Sequence, residues 1–153
     1  MLDIAIEKLM HNAKEHNVTF HINGIHKSIE EFKIDKKSYD FVMAISALEH
    51  IDTEETFLNK LNEIKDGLCE NGVACLVINS NVREINLNTK EMVDVQFEVN
   101  LSTEKVQEYL KKVFHGWKLL KTSVIEQEYN IPREMFVSRL YTDVITYVVR
   151  KCK

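Results

Sequence analysis

Three side chains able to hold or move a proton, Glu49, His50 and Asp52, fall within four positions of one another. They follow an unbroken apolar or small run from Phe41 to Leu48, itself preceded by Asp40. An imidazole titrates near neutrality, so His50 suits general acid–base work, and a neighbouring carboxylate can orient it. The same residues also fit a purely structural role, with Glu49 and His50 ordering the loop before a helix that starts at Asp52. Other chemistry-bearing residues form no set. His11, His16, His21 and His26 recur every five residues, which matches neither the helical nor the strand repeat, so no metal site is expected. Cys69, Cys75 and Cys152 show no CxxC pair, and Cys75 in an apolar run reads as a small core residue. No nucleophile–histidine–acid set is evident.

The elements that must position these residues alternate along the chain. Ala5, Ile6, Leu9, Met10 and Ala13 share a helical face. "VTFHI" (18–22) reads as a short strand closed by Asn23-Gly24, and "SIEE" (28–31) as a capping box. The apolar run at 39–47 is a buried strand. Asp52 to Glu55 opens a helix whose buried face is Phe57, Leu61, Ile64 and Leu68. Asn71-Gly72 turns into the strand 73–78, and 79–92 is polar and irregular. Val93, Val95, Phe97 and Val99 alternate with polar residues, which predicts a half-exposed strand with the four apolar side chains inward. Ser102 caps a helix carrying Val106, Tyr109, Leu110, Val113 and Phe114, and Gly116 ends it. Strands over 117–128 and 140–149 follow, with a loop around Pro132.

Apolar strands alternating with amphipathic helices predict an α/β fold with a mostly parallel sheet covered on both faces and a C-terminal antiparallel strand pair. Ligands of such sheets bind beyond the carboxyl ends of the strands, where Ser46 to His50 fall. A chain of 153 residues, 44% hydrophobic and 29% charged, suits one domain over 1–153. A net charge of −4 with scattered lysines gives no footprint for nucleic acid. No apolar run nears the ~20 residues of a membrane span, and unpaired, odd-numbered cysteines fit a reducing cytoplasm.

"SYDFVMAISALEHI", "LCENG" and "VACLVINS" resemble the fourth and fifth strands of class I S-adenosylmethionine-dependent methyltransferases. The ending "GWKLLKTSVIEQEY…RLYTDVITYVVRK" resembles the last antiparallel pair of that family, with a flavour of its tellurite-resistance members. "LDIAIEKLMHNAKEHNVTFHINGI" resembles the stretch from the end of the second strand through the third. The resemblance implies a truncated Rossmann-like fold lacking the first strand and most of the second. It also implies a small-molecule substrate and S-adenosylmethionine as cofactor. Asp3 matches the acid that accepts hydrogen bonds from the ribose, and a helix N-cap is its structural alternative. Asn23 and Gly24 lie where the adenine is met, and Ser46 and Ala47 match positions whose backbone lines the cofactor crevice. His50 matches the substrate side, as a general base.

The family's glycine-rich turn has no counterpart: the four glycines are Gly24, Gly67, Gly72 and Gly116, none within four residues of another. Binding of S-adenosylmethionine by this chain is therefore expected to be weak or absent, and a non-catalytic binding or assembly module is the alternative. The family's first strand normally lies beside the fourth. Its loss leaves an unpaired edge, so either 18–22 pairs with 39–46 or that edge joins a second copy in a homodimer.

Overall fold

A computed structural model describes residues 2–19, 22–95 and 97–152, with side chains from Ile4 onward. The chain divides into two compact units, Met1–Phe32 and Lys33–Lys153.

The first unit holds α1 (Leu2–Glu15). The helix ends in a Schellman motif: Asn17 takes a left-handed φ of 56°, Asn17 N–H donates to Lys14 O at 3.2 Å, and Val18 N–H to Ala13 O at 2.9 Å. That closure overturns the strand expected at 18–22. Val18 is consumed in the helix cap, and Ile22 N–H donates to Thr19 O, so neither donates to a ladder; Phe20 and His21 lie outside the described residues. Ser28 does act as a cap, its Oγ accepting from Glu31 N–H at 3.3 Å. It caps a single turn, not a helix.

The second unit is a five-stranded sheet with two helices. Its strands are β1 (Tyr39–Ile45), β2 (Leu68–Asn86), β3 (Met92–Val93), β4 (Lys118–Pro132) and β5 (Val137–Arg150), and its helices are α2 (Glu54–Gly67) and α3 (Thr103–Val113). The order is β1-β2-β5-β4, with β3 beside the far end of β2. β1 runs parallel to β2, and β5 is antiparallel to both β2 and β4. Three of the four long strands thus point one way, and the last pair is antiparallel as the sequence predicts. Among the described residues β1 pairs with β2 alone.

The core lies between the sheet and the helices. Phe57, Leu61 and Ile64 of α2 and Val106, Leu110 and Val113 of α3 are buried, as are Ala74, Leu76, Ile78, Ile145, Tyr147 and Val149 of the sheet. The helical spacing of these residues places them on one stripe, and the strand period of two places theirs on one face. Thr53, one position later than expected, caps α2 by accepting from Thr56 N–H. Ser102 caps α3 by accepting from Lys105 N–H. Gly116, at φ 82°, takes the left-handed conformation that follows α3.

Three further expectations are corrected. β2 does not end at 78. It continues to Asn86 through a register shift between Ser80 and Arg83, with Asn81 at φ 50°, so the polar run is a bulged strand. The alternation from Val93 to Val99 yields strand only at Met92–Val93; of the rest, 94, 95 and 97–99 lie outside any strand and Gln96 outside the described residues. Val99 is buried all the same, because its segment crosses beside Glu49 and donates to the Glu49 carbonyl. Coverage on both sheet faces is not observed either: Phe41, Met43 and Ile45 are all more than half exposed.

Candidate functional site

The cluster that opens the sequence sits at the carboxyl end of β1, beside the middle of β2. β1 stops because Ser46 adopts φ 46°, while its N–H still donates to Val77 O at 2.9 Å. Ala47 then leads into a single 3-10 turn, Leu48–His50, in which His50 N–H donates to Ala47 O at 3.2 Å. The turn divides its two polar side chains. Glu49 points inward and is 1% exposed, with Leu48 and Ile51 buried on either side; His50 points outward.

Glu49 is held by Asn79, the residue of β2 nearest that end. Its Oε1 accepts from Asn79 N–H at 3.4 Å and, in a short contact, from the Asn79 amide. Asn79 Nδ2 also donates to Ser46 Oγ at 3.2 Å, and Thr142 Oγ1 of β5 donates to Asn79 Oδ1 at 3.2 Å. One polar row therefore ties the end of β1 to the middle of β2 and on to β5. Among the described residues, Glu49 Oε2 is the buried side-chain oxygen that has no hydrogen-bond partner, which marks it as an acceptor still open.

His50 pairs with two residues that the notion of a strand at 93–99 conceals. Its Nδ1 lies 3.3 Å from Glu98 Oε2, and its ring stacks on Phe97 with centroids 5.1 Å apart at 16°. Both side chains are half exposed. With Nδ1–H donating to Glu98, Nε2 carries the free lone pair, the arrangement of an oriented base.

A cavity of about 550 Å³ opens nearby in the sheet, lined among others by Asn81, Arg83, Asn100, Tyr141, Thr142 and Asp143. Arg83 lies over the Tyr141 ring, 4.9 Å from its centroid. The Thr103 hydroxyl, and after it the Asn81 amide, hold the Asp143 carboxyl below its ordinary range. Thr142 belongs both to this lining and to the Glu49–Asn79 row.

Of the residues singled out in the sequence, Ser46, Ala47 and His50 come together at this end of the sheet. Asp3, Asn23 and Gly24 belong to the Met1–Phe32 unit. Asp3 has its backbone inside α1, and its side chain lies outside the described residues. Asn23 and Gly24 are exposed and irregular, and a Cβ on Gly24 would meet Ile6 Cγ2 at 3.1 Å. Asn79, Phe97 and Glu98 escaped the sequence reading, since nothing local marks a residue 30 or 48 positions away as a partner. No group of three or more potential metal ligands is found among the described residues, and no described helix is long and apolar enough to cross a membrane.

The fold is that of the Rossmann-like S-adenosylmethionine-dependent methyltransferases. TehB from Haemophilus influenzae superposes with a TM-score of 0.66 at 16% identity, over 95% of this chain and 46% of that one. A putative methyltransferase from Bacillus halodurans C-125 gives 0.61 at 11% identity, over 88% of this chain and 79% of that one. An S-adenosylmethionine-dependent methyltransferase from Clostridium acetobutylicum gives 0.55 at 14% identity, over 95% and 72%. The chain thus spans about half the length of TehB. No protein-family model and no curated protein matches the sequence.

The fit to S-adenosylmethionine is one-sided. At the carboxyl end of β1 the backbone near Ser46 and Ala47 is what could meet a ligand, while the open Glu49 oxygen is buried. Ser46 N–H and Ala47 O are already engaged, and no glycine-rich turn is present to bring further backbone donors close to a ligand. No methyl-transfer step is derived through the cofactor on these residues.

Proposed function

We propose that this chain serves an S-adenosylmethionine-dependent methyltransferase acting on a small molecule, and that it supplies the acceptor side of the site. The observation that carries this reading is the His50–Glu98 pair at the carboxyl end of β1, beside the buried Glu49, in a methyltransferase-like sheet. S-adenosylmethionine, when bound, supplies an electrophilic methyl group. His50 Nε2 would take the proton of an acceptor hydroxyl or amine, and Glu98 would steady the imidazolium through Nδ1–H. The Ser46–Ala47 backbone would face the cofactor, while Asp3, Asn23 and Gly24 remain the proposed ribose and adenine contacts. By itself the chain holds the cofactor weakly, at millimolar rather than micromolar concentrations.

A second reading, a non-catalytic binding or assembly module, draws support from the apolar side chains that β1 leaves in water. Amide NMR with S-adenosylhomocysteine raised to about 5 mM, where even weak ligands load, separates the two. Shifts at Ser46–His50 and Asn79, together with Asn23 and Gly24, are expected from the first reading. Their absence from that stretch would favour the second.

A further inference from the structure

We infer that the cavity framed by β2, β5, β4 and the loop before α3 binds a small zwitterion, a molecule carrying an ammonium and a carboxylate a few bonds apart. At about 550 Å³ the cavity has the size of a small-molecule site. Its lining belongs wholly to the Lys33–Lys153 unit.

The bulge in β2 builds it. Between Ser80 and Arg83 that strand takes three steps while β5 takes two, from Asp143 to Tyr141. The extra residue returns Arg83 to the face that Tyr141 and Asp143 share. The loop at 100–102 is fastened over the bulge. Asn81 N–H donates to Leu101 O at 2.9 Å. Asn100 clasps Val82 twice, its Oδ1 accepting from Val82 N–H at 2.9 Å and its Nδ2 donating to Val82 O at 2.7 Å. These bonds fix the walls before a ligand arrives, so little ordering is left to binding.

Three charged side chains line the cavity, Arg83, Glu126 and Asp143, and among the described residues none of them makes an ion pair. Arg83 lies over the Tyr141 ring and makes no hydrogen bond there. Asp143 is anchored by one oxygen: Oδ2 accepts from Thr103 Oγ1 at 2.6 Å and from Asn81 Nδ2 at 2.7 Å, while Oδ1 is neither bonded nor sealed off. Glu126 of β4 stands directly opposite Asp143 of β5. Two carboxylates side by side on one face repel each other, and an ammonium seated between them relieves that repulsion. The guanidinium of Arg83 lies about one strand repeat away, the ~7 Å from Asp143 to Tyr141 along β5. An α-amino group and its carboxylate, with a hydrogen bond of ~2.9 Å at each end, span that gap. A plain anion would meet two carboxylates, and a plain amine would meet Arg83. Only a ligand with both charges answers all three side chains. The inference concerns binding alone and does not depend on the methyltransferase reading.

Amide NMR titration of the 153-residue chain tests it. The probes are L-alanine and L-phenylalanine, a small and a large bearer of the paired charges, with propionate and ethylamine bearing one charge each. Saturable shifts at Asn81–Arg83, Gln127 and Asp143 are expected by about 50 mM of at least one amino acid, with propionate and ethylamine at least about tenfold weaker. Arg83→Met and Glu126→Gln should each weaken the amino acid at least about tenfold. Both side chains are exposed, the amide spectrum checks that each variant folds, and Arg83→Gln and Glu126→Ala replace either one that does not. Absence of a saturable shift with both amino acids overturns the inference. So does propionate or ethylamine binding as tightly as the amino acids, or binding that every folded variant preserves.

Discussion

Replacing Arg133 by Ala isolates a buried charge. Glu84 of β2 is fully buried, and Arg133 meets it with two parallel bonds, Nε at 2.9 Å and Nη2 at 2.6 Å. The Ser138 hydroxyl donates to the same carboxylate in a short contact. Burial pushes the Glu84 carboxyl up, yet Arg133 and then Ser138 outweigh it and leave it below the ordinary range. A folded pKa below the unfolded one stabilises the native state above the unfolded value, about 4.3, and that stabilisation is lost as pH falls through the folded pKa. Removing the arginine leaves the carboxylate with one hydroxyl, and breaking a buried pair this way costs ~3–5 kcal/mol. The Arg133 side chain is 24% exposed, so water reaches the gap and the lower end, ~3 kcal/mol, is expected. For a chain of this length that lowers Tm by ~6–12 °C. Urea denaturation at pH 7 and pH 4 supplies the assay. The loss should shrink at pH 4, where protonating the orphaned carboxyl relieves it, and Glu84→Gln in the Arg133→Ala background should recover more than half of it at pH 7. A loss under ~1 kcal/mol at pH 7, or one that grows with acid, would refute the reasoning.

Gly116→Ala should cost ~1 kcal/mol in urea unfolding, through backbone strain alone, because φ is 82° and nothing lies within 4 Å of the added Cβ; Gly116→Asn should cost less. Gly67→Ala drives a Cβ into Ile34 Cγ2 and should destabilise by ~1–3 kcal/mol. Ile34→Ala should relieve the crowding, and independent effects of the two changes would argue against the clash. The Glu54 carboxyl, lowered first by Lys105 and then by the Tyr109 hydroxyl, should titrate higher in Lys105→Met by carboxyl NMR; an unchanged titration would break the link between α2 and α3. Nitrogen NMR of His50 should show the Nδ1-protonated tautomer favoured at neutral pH, and Glu98→Gln should shift that balance towards an even mixture.

The parts of this fold legible in the sequence are those whose cause is local. Ser102 and Gly116 bracket α3 because a cap and a left-handed turn are properties of single residues. The stripe Phe57, Leu61 and Ile64 and the apolar runs of β1 and β2 repeat with their own period. What was hidden depends on distant partners. β2 continues past Ile78 with Ser80 and Glu84 buried, and polar residues there disguise a strand that Asp143 and Arg133 make tolerable. The alternation from Val93 to Val99 also serves a segment that crosses the chain's own site, placing Phe97 and Glu98 on His50 and Val99 against Glu49. Val18 was claimed by the end of α1. At the site, the end of a strand near residue 46 was readable, whereas the burial of Glu49 and its hold on Asn79 emerge only from the parallel register of β1 and β2.

Isothermal titration calorimetry of the 153-residue chain with S-adenosylmethionine and S-adenosylhomocysteine tests the one-sided crevice most directly. Each missing polar contact costs ~1 kcal/mol or more, and ~1.4 kcal/mol is a factor of ten in Kd. A site reduced to the proposed Ser46–Ala47 contact should therefore show no saturation at micromolar concentrations and at most millimolar binding. Saturable binding of either compound at one site per chain with a micromolar Kd would contradict that description, because it would require a complete cofactor cradle.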